Sequence, residues 1–124
     1  MSLALDIGEG LLCEYRRTCG DEAIKVLVSR WEGVNGIRKV SPARAIARPI
    51  SRRLRQLGFG GSVDRLILRI ALVTRDHAVA SNDGHFWCPG DPKKKGNRNA
   101  PVSRLCREYL GIEVMLLSAL LARI

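Results

Sequence analysis

The apolar residues of this chain alternate between helical spacing and short continuous runs, and this alternation constrains the fold more than any other feature. Residues 63–73 are apolar at helical spacing, whereas residues 77–81 form a short apolar run that is typical of a buried strand. Residues 101–111 begin with Pro and end with Gly, as helices commonly do, and the mostly apolar residues 112–117 follow. This order predicts an α/β fold with a parallel sheet rather than a helical bundle.

The first half of the chain has a weaker pattern. Residues 3–5 predict a brief strand, and residues 9–18 predict a helix that Gly20 ends. Asp21 then precedes the most regular amphipathic helix of the sequence. The 124 residues are enough for one hydrophobic core and too few for two. We therefore expect residues 1–124 to form a single domain.

The sequence also predicts several smaller features. Residues 37–40 indicate a short strand, and residues 48–57 combine arginines with apolar residues as a basic amphipathic segment before a glycine cluster. Ser62 and Ser118 each precede an apolar segment, so both are predicted as helix caps.

The chain is strongly basic. Twenty-one Lys and Arg residues against twelve Asp and Glu residues give a net charge of +9. Such a charge favours an anionic partner, of which nucleic acid is the usual one, and a solvated basic surface is the alternative. Residues 88–100 are rich in Pro, Gly, Asn and Lys without an apolar period, so they are predicted to form an exposed loop.

The four cysteines and the N-terminal residues bear on the compartment. The cysteines form no CxxC pair, and a domain of this size needs no disulfides, so reduced thiols are expected. The first residues do not resemble a signal peptide, and no stretch approaches the roughly 18 apolar residues of a membrane span. We expect a cytoplasmic protein without a membrane role. Zinc binding by Cys88, His85 and another cysteine is a weaker alternative, because that pair is half of a site.

Three carboxylates are the candidates for chemistry. Asp83 follows an apolar strand, Asp64 begins an apolar helix, and Glu14 lies on the first helix. Open α/β sheets place their sites at the carboxyl ends of strands, where converging carboxylates hold Mg²⁺ or Mn²⁺. Each residue also has a structural alternative: Asp64 as a partner of the helix dipole, Asp83 in a turn, and Glu14 on a solvated face.

Several short motifs, taken together, resemble a known family. The run SVDR at residues 62–65 and AVASNDGHFW at residues 78–87 are similar to the C-terminal half of PIN-domain nucleases. In that family an Asp at a helix start precedes a strand that ends in a second Asp and then a Phe. LALDIGEGLLCEYRR, GDEAIKVLV, GNRNAP and LGIEVMLL extend the resemblance to a bacterial PIN-like group over almost the whole chain. The resemblance implies a three-layer fold with a parallel sheet.

The resemblance also implies an activity and its residues. Glu14, Asp64 and Asp83 would be the catalytic ligands of Mg²⁺ or Mn²⁺, and water activated by the metal would attack phosphorus in RNA. His85 stands where related sequences often carry another acidic residue, and a surface loop histidine is its alternative. The residues expected to hold single-stranded RNA are Arg52, Arg53, Arg55, Lys93, Lys94, Lys95 and Arg98.

One departure from the family concerns the N-terminus. PIN domains normally begin with a central strand that ends in an Asp and is followed by a helix, and Asp6 matches a different acidic position of the pattern. The sequence therefore predicts a PIN-like fold truncated at the N-terminus, whose exposed sheet edge favours a homo-oligomer. The predicted function is a metal-dependent endoribonuclease, with an antitoxin as a possible protein partner. The alternative is a non-catalytic module that binds nucleic acid or protein.

Overall fold

Helices and short strands alternate along the chain in the computed structural model, which describes residues 3–6, 8, 10–34 and 37–123. The elements in chain order are β1 (Leu3–Asp6), α1 (Gly10–Cys19), α2 (Asp21–Val34), β2 (Ile37–Val40), α3 (Arg48–Gln56), α4 (Ser62–Ala71), β3 (Ala78–Ala80), α5 (Pro101–Leu105), β4 (Glu113–Met115) and α6 (Leu117–Arg123). A π-helical turn at Cys106–Leu110 extends α5 as far as Gly111, whose φ of 66° ends it. The predicted mixture of helices and parallel strands is confirmed.

The described strands form two parallel pairs rather than the single sheet that the sequence predicts. Strand β1 pairs with β2, and β3 pairs with β4. Helices connect the strands within each pair, because parallel neighbours need a crossover connection. Helix α4 contacts both β1 and β3 and so packs against both pairs. The three-layer PIN-like arrangement remains a prediction.

Strand β3 is shorter than predicted for a local reason. His77 has a φ of 46°, a left-handed conformation that interrupts extended backbone, so the strand begins at Ala78. The pairing continues past both ends of the strand through backbone hydrogen bonds. Glu113 N donates to His77 O at 2.9 Å, and Ser81 N donates to Met115 O at 2.9 Å. Extended backbone therefore leads directly to the candidate residues that follow Ser81.

The largest hydrophobic core surrounds α4 and the segment after β3. Phe59 and Phe86 meet edge to face with their ring centroids 5.2 Å apart. A smaller cluster contains Leu11, Leu12 and Ile70, and Ile67 packs against both clusters. The largest fully buried side chains are Trp87, Phe59, Phe86, Leu54, Leu68, Ile112, Val102 and Cys106. One helix, α4, thus contributes to both clusters.

Two predicted helix caps are wrong. Ser62 is the first residue of α4, Gly61 occupies the cap position, and no side chain caps this helix by a hydrogen bond. Helix α6 begins at Leu117, one residue before Ser118. The side-chain oxygen of Asn82 accepts a hydrogen bond from Leu117 N at 3.1 Å. The side chain of Asn82, distant in sequence, therefore takes the capping role that the sequence predicts for Ser118.

The N-terminal region contains the short strand and the first helix that the sequence predicts. Strand β1 ends at Asp6, pairs in parallel with β2, and precedes α1 in the chain. The truncation relative to a PIN-like fold stays a prediction. Among the described helices, none is long and apolar enough to cross a membrane, and α2 is the longest with 14 residues.

Candidate metal site

Asp83 lies just beyond the carboxyl end of β3, as predicted. Its backbone N–H donates to Ser81 Oγ at 3.0 Å, and its Oδ1 accepts from His85 N at 3.0 Å. The second bond caps the 3-10 turn Gly84–Phe86, and burial of Phe86 anchors this turn in the core. Local backbone geometry therefore holds Asp83 and His85 close together.

Asp64 comes from a different element. It lies in the first turn of α4, where the positive end of the helix dipole favours a carboxylate. Its side chain is only 16% exposed, compared with 50% for Asp83 and 57% for His85. The first turn of α4 and the end of β3 meet because the helix packs against this strand. The two aspartates predicted from the sequence are thus brought together from separate segments.

Three donor atoms converge at this point. His85 Nδ1 is 3.6 Å from Asp64 Oδ2 and 3.5 Å from Asp83 Oδ1. One ligand atom from each residue lies within 4.8 Å of the other two. Ligand atoms around an octahedral Mg²⁺ are about 3 Å apart, so a small inward movement would suffice to close the site on a divalent cation. Two carboxylate oxygens and an imidazole nitrogen fit Mn²⁺ better than Mg²⁺, since imidazole is a softer donor.

The electrostatics of the site favour a cation. Burial raises the pKa of Asp64 above its ordinary value, and the neighbouring charge of Asp83 raises it further, whereas His85 lowers it. A carboxylate that is desolvated and repelled by its neighbour gains from a positive ion between the two. Perturbed carboxyl groups of this kind are common at functional sites. The fit to a divalent cation therefore rests on geometry and on charge.

Glu14 is placed elsewhere. It lies on α1, and Arg17 one turn later binds both of its carboxylate oxygens, with Arg17 Nε 3.1 Å from Oε2. The hydrogen bond from Arg17 lowers the pKa of Glu14. Within the described part of the chain, Glu14 is not a member of the converging group. The role of Glu14 as a metal ligand therefore stays a prediction. The third residue beside Asp64 and Asp83 in the structure is His85.

The sequence contains a local signal for the position of His85. In the sequence Asp-Gly-His, the backbone N–H of the His can donate to the side chain of the Asp two residues earlier, as His85 does to Asp83.

The alternative zinc set does not form among the described residues, because Cys88 is a free, half-buried thiol that is not part of the group. The donor set is two aspartates and one histidine.

The predicted RNA contacts are distributed over several surfaces. Lys93 and Lys94 lie in an exposed 3-10 turn, in which Asp91 Oδ1 accepts from Lys93 N at 3.1 Å. Arg98 forms an ion pair with Glu113, with Nε 3.4 Å from Oε1. On α3, Arg52 and Arg55 line one groove and Arg53 lines another. The seven residues therefore do not all face the same way.

No family model matches the chain, and no curated protein or solved structure is significantly similar to it. What the site does chemically must therefore be inferred from its own donor atoms and charges.

Proposed function

We propose that the protein is a metal-dependent endoribonuclease of the PIN type, with Asp64, Asp83 and His85 as the residues that hold Mg²⁺ or Mn²⁺. The observation that carries the proposal is the convergence of Asp64 and Asp83 from separate elements, with ligand atoms of all three residues within 4.8 Å. The resemblance of the motifs around these residues to PIN-domain nucleases supports it independently of the geometry.

The residues of the site have separate tasks in this proposal. Asp64 and Asp83 supply the oxygen donors, and the capped turn keeps the imidazole of His85 next to them. A bound divalent cation supplies positive charge against the phosphate and lowers the pKa of water, so no covalent nucleophile is needed. His85 contributes a nitrogen donor beside the two carboxylates.

Exposed basic residues complete the proposal on the substrate side. Lys93, Lys94 and Lys95 are all exposed and lie in one turn, so they can contact phosphates irrespective of base sequence. The Arg98 side chain is 65% exposed, and its ion pair with Glu113 partly neutralises its charge. Single-stranded RNA is the proposed substrate, and a homo-oligomer or an antitoxin-like protein partner remains part of the proposal.

A second candidate function is a non-catalytic module that binds RNA. The observation that favours it is the position of Glu14, whose carboxylate is engaged by Arg17 rather than joined to the site. Two carboxylates hold a divalent cation less firmly than three do. The basic surface would bind RNA without any metal, because phosphate contacts depend on Lys and Arg alone.

One experiment separates the two functions. Labelled single-stranded RNA is incubated with and without Mn²⁺, using wild type, Asp83→Asn and the control Asp76→Asn, which changes an exposed turn aspartate outside the site. Asparagine can still cap the turn, so we expect Asp83→Asn to fold and to lose Mn²⁺-dependent cleavage by about 100-fold or more. Its binding of RNA without metal should be unchanged or slightly tighter.

The other outcomes are equally informative. Metal-independent binding without cleavage in wild type would rule out the enzyme and leave the binding module. Absence of binding at moderate salt would rule out both functions.

A further inference from the structure

A groove lined by arginines lies on another side of α4. Its walls are the loop at residues 41–47, helix α3 and helix α4, and its volume is about 510 Å³. Among the described residues that line the groove there is neither Asp nor Glu. The arginines that line the groove are Arg44, Arg48, Arg52, Arg55, Arg65 and Arg69.

The walls of the groove are fixed by hydrogen bonds. Arg69 Nε donates to Ala43 O at 2.7 Å, and Ala43 N donates to Arg69 O at 3.0 Å, which ties the loop to α4. Arg65 Nη2 donates to Ser51 O at 3.5 Å and links α4 to α3. Two of the six arginines thus hold the walls together, and the groove does not depend on a ligand for its shape.

The positive charge of the groove is uncompensated within the described part of the chain. Arg44, Arg48, Arg52 and Arg55 are exposed, and none of the six arginines is within ion-pair distance of a described carboxylate. Arg48, Arg52 and Arg55 follow each other at four- and three-residue spacing, where like charges destabilise a helix. Repulsion of this kind is relieved when an anion binds.

Arg65 adds an observation that points to a ligand. Its Nε is buried and has no hydrogen-bond partner among the described residues. A buried donor without a partner costs free energy, and a guanidinium prefers to donate two parallel bonds to one anion. A phosphate oxygen in the groove would satisfy this donor.

We propose that the groove binds a compact group of linked phosphates, supplied by a nucleoside polyphosphate or by the 5′-triphosphate end of an RNA. The groove has the volume of a small-molecule site, within about 300–1,000 Å³. Each nucleotide of an RNA strand brings a single negative charge, whereas linked phosphates bring several charges into the same space. Six guanidinium groups line one groove, so their charge matches that of linked phosphates better than that of a single nucleotide. The planar guanidinium group also matches the spacing of phosphate oxygens.

This site is separate from the proposed metal site and goes beyond the proposed function. Asp64 belongs to the metal site and Arg65, the next residue, lines the groove. Arg44 and Arg48 line the groove and are not among the predicted RNA contacts. Variants of these two residues therefore test the groove without touching the ribonuclease proposal.

The test is calorimetric titration of the full chain in EDTA, which excludes the metal site, with inorganic tripolyphosphate and inorganic phosphate as probes. Tripolyphosphate should bind at least about tenfold more tightly than phosphate. The double variant Arg44→Gln and Arg48→Gln should weaken tripolyphosphate binding by about tenfold or more. The control double variant Arg75→Gln and Arg104→Gln removes the same charge from exposed positions outside the groove and should change it less than about twofold.

The variant Arg65→Lys tests the contribution of the Arg65 guanidinium group separately from its charge. It keeps the charge and removes the buried Nε–H donor, so tripolyphosphate binding should weaken severalfold. A thermal melt that matches wild type shows that the variant remains folded. Unchanged affinity in this folded variant would contradict the role of the guanidinium.

Competition against tripolyphosphate identifies the source of the phosphates. Displacement by ATP supports a free nucleotide, and displacement by 5′-triphosphate RNA but not by ATP supports an RNA end. Three results overturn the proposal: tripolyphosphate binding no better than phosphate, an equal loss of affinity in both double variants, or equal displacement by 5′-hydroxyl and 5′-triphosphate RNA. None of these results depends on whether the chain cleaves RNA.

Discussion

Helix α4 separates two regions of opposite charge. Asp64 in its first turn meets Asp83 and His85 and forms an acidic cluster, the acidic site, that could hold a cation. Arg65 and Arg69 line a groove in which every ionisable side chain that the structure describes is an arginine. Neighbouring residues of one helix thus belong to two regions of opposite charge, because successive side chains of a helix point about 100° apart.

The two regions differ in what controls their charge. In the acidic site, burial raises the pKa of the Asp64 carboxyl, so the charge of this group depends on pH. Arginine stays protonated at every physiological pH, so the groove keeps its charge and responds mainly to salt. Cation binding at one site should therefore depend on pH through the protein, whereas the charge that the groove offers to phosphate should not change with pH.

The largest effect is expected from a substitution in the buried face of α4, the helix that both regions share. Leu68 is fully buried in the middle of α4, and it belongs to the larger core. We expect Leu68→Ala to lower the free energy of unfolding by about 2–5 kcal/mol, because it leaves a cavity under the helix. Denaturant unfolding measures this loss.

The matched control for this variant is Val73→Ala. Val73 lies beyond the end of α4 and is 44% exposed, so its truncation should cost less than about 1 kcal/mol. Losses of equal size in the two variants would show that α4 is not held by its buried face.

The next largest effect is expected from a substitution in the acidic site alone. Asp64→Asn removes the buried carboxylate and should weaken Mn²⁺ binding by about 100-fold, measured as free Mn²⁺ by electron paramagnetic resonance. Tripolyphosphate binding should be unchanged, since the groove arginines keep their positions. The control Asp76→Asn should leave Mn²⁺ binding as in wild type. A loss of both ligands in Asp64→Asn would mean that the two regions are not independent.

A smaller effect is expected from pH in the metal-free protein. Because the pKa of Asp64 is higher in the folded state than in the unfolded chain, folding favours its protonated form. The contribution of Asp64 to stability is therefore greatest below its ordinary pKa and is lost as pH rises through the raised value. Comparing unfolding of wild type and Asp64→Asn across this window checks the sign. A wild type that loses stability relative to the variant as pH falls through it would contradict the raised pKa.

The sequence predicted the parts of this molecule that depend on local pattern. Asp64 and Asp83 were recognisable because each follows a clear signal, a helix start and the end of an apolar strand. The helix at α4 and the extended loop after Cys88 have the same local origin. Long apolar periods and turn residues are strong signals because they act over a few neighbours.

Features that depend on distant contacts were not predictable in the same way. Asn82 caps α6 from 35 residues away, and Arg69 holds the loop at Ala43 from 26 residues away. The groove exists only because that loop and α3 fold against α4. The separation of the strands into two pairs is likewise a matter of packing, since α4 contacts strands of both pairs. The local pattern of a sequence does not contain such contacts.

The smallest expected effect concerns Glu14, whose role is the hardest to predict from sequence because a lone carboxylate on a helix has no distinctive local signal. Arg17 binds both oxygens of this carboxylate and lowers its pKa, so Glu14 is ionised but occupied at neutral pH. We expect Glu14→Gln to change Mn²⁺ affinity less than about threefold, because the charge lost is already neutralised by its neighbour. Glu22→Gln is the matched control, since Glu22 also pairs with a cation one turn away, Lys25, at 3.8 Å. If Glu14→Gln instead weakens Mn²⁺ binding tenfold and the control does not, Glu14 leaves Arg17 to join Asp64 and Asp83 when the metal binds. The site would then have three carboxylates, and the enzyme would be favoured over the binding module.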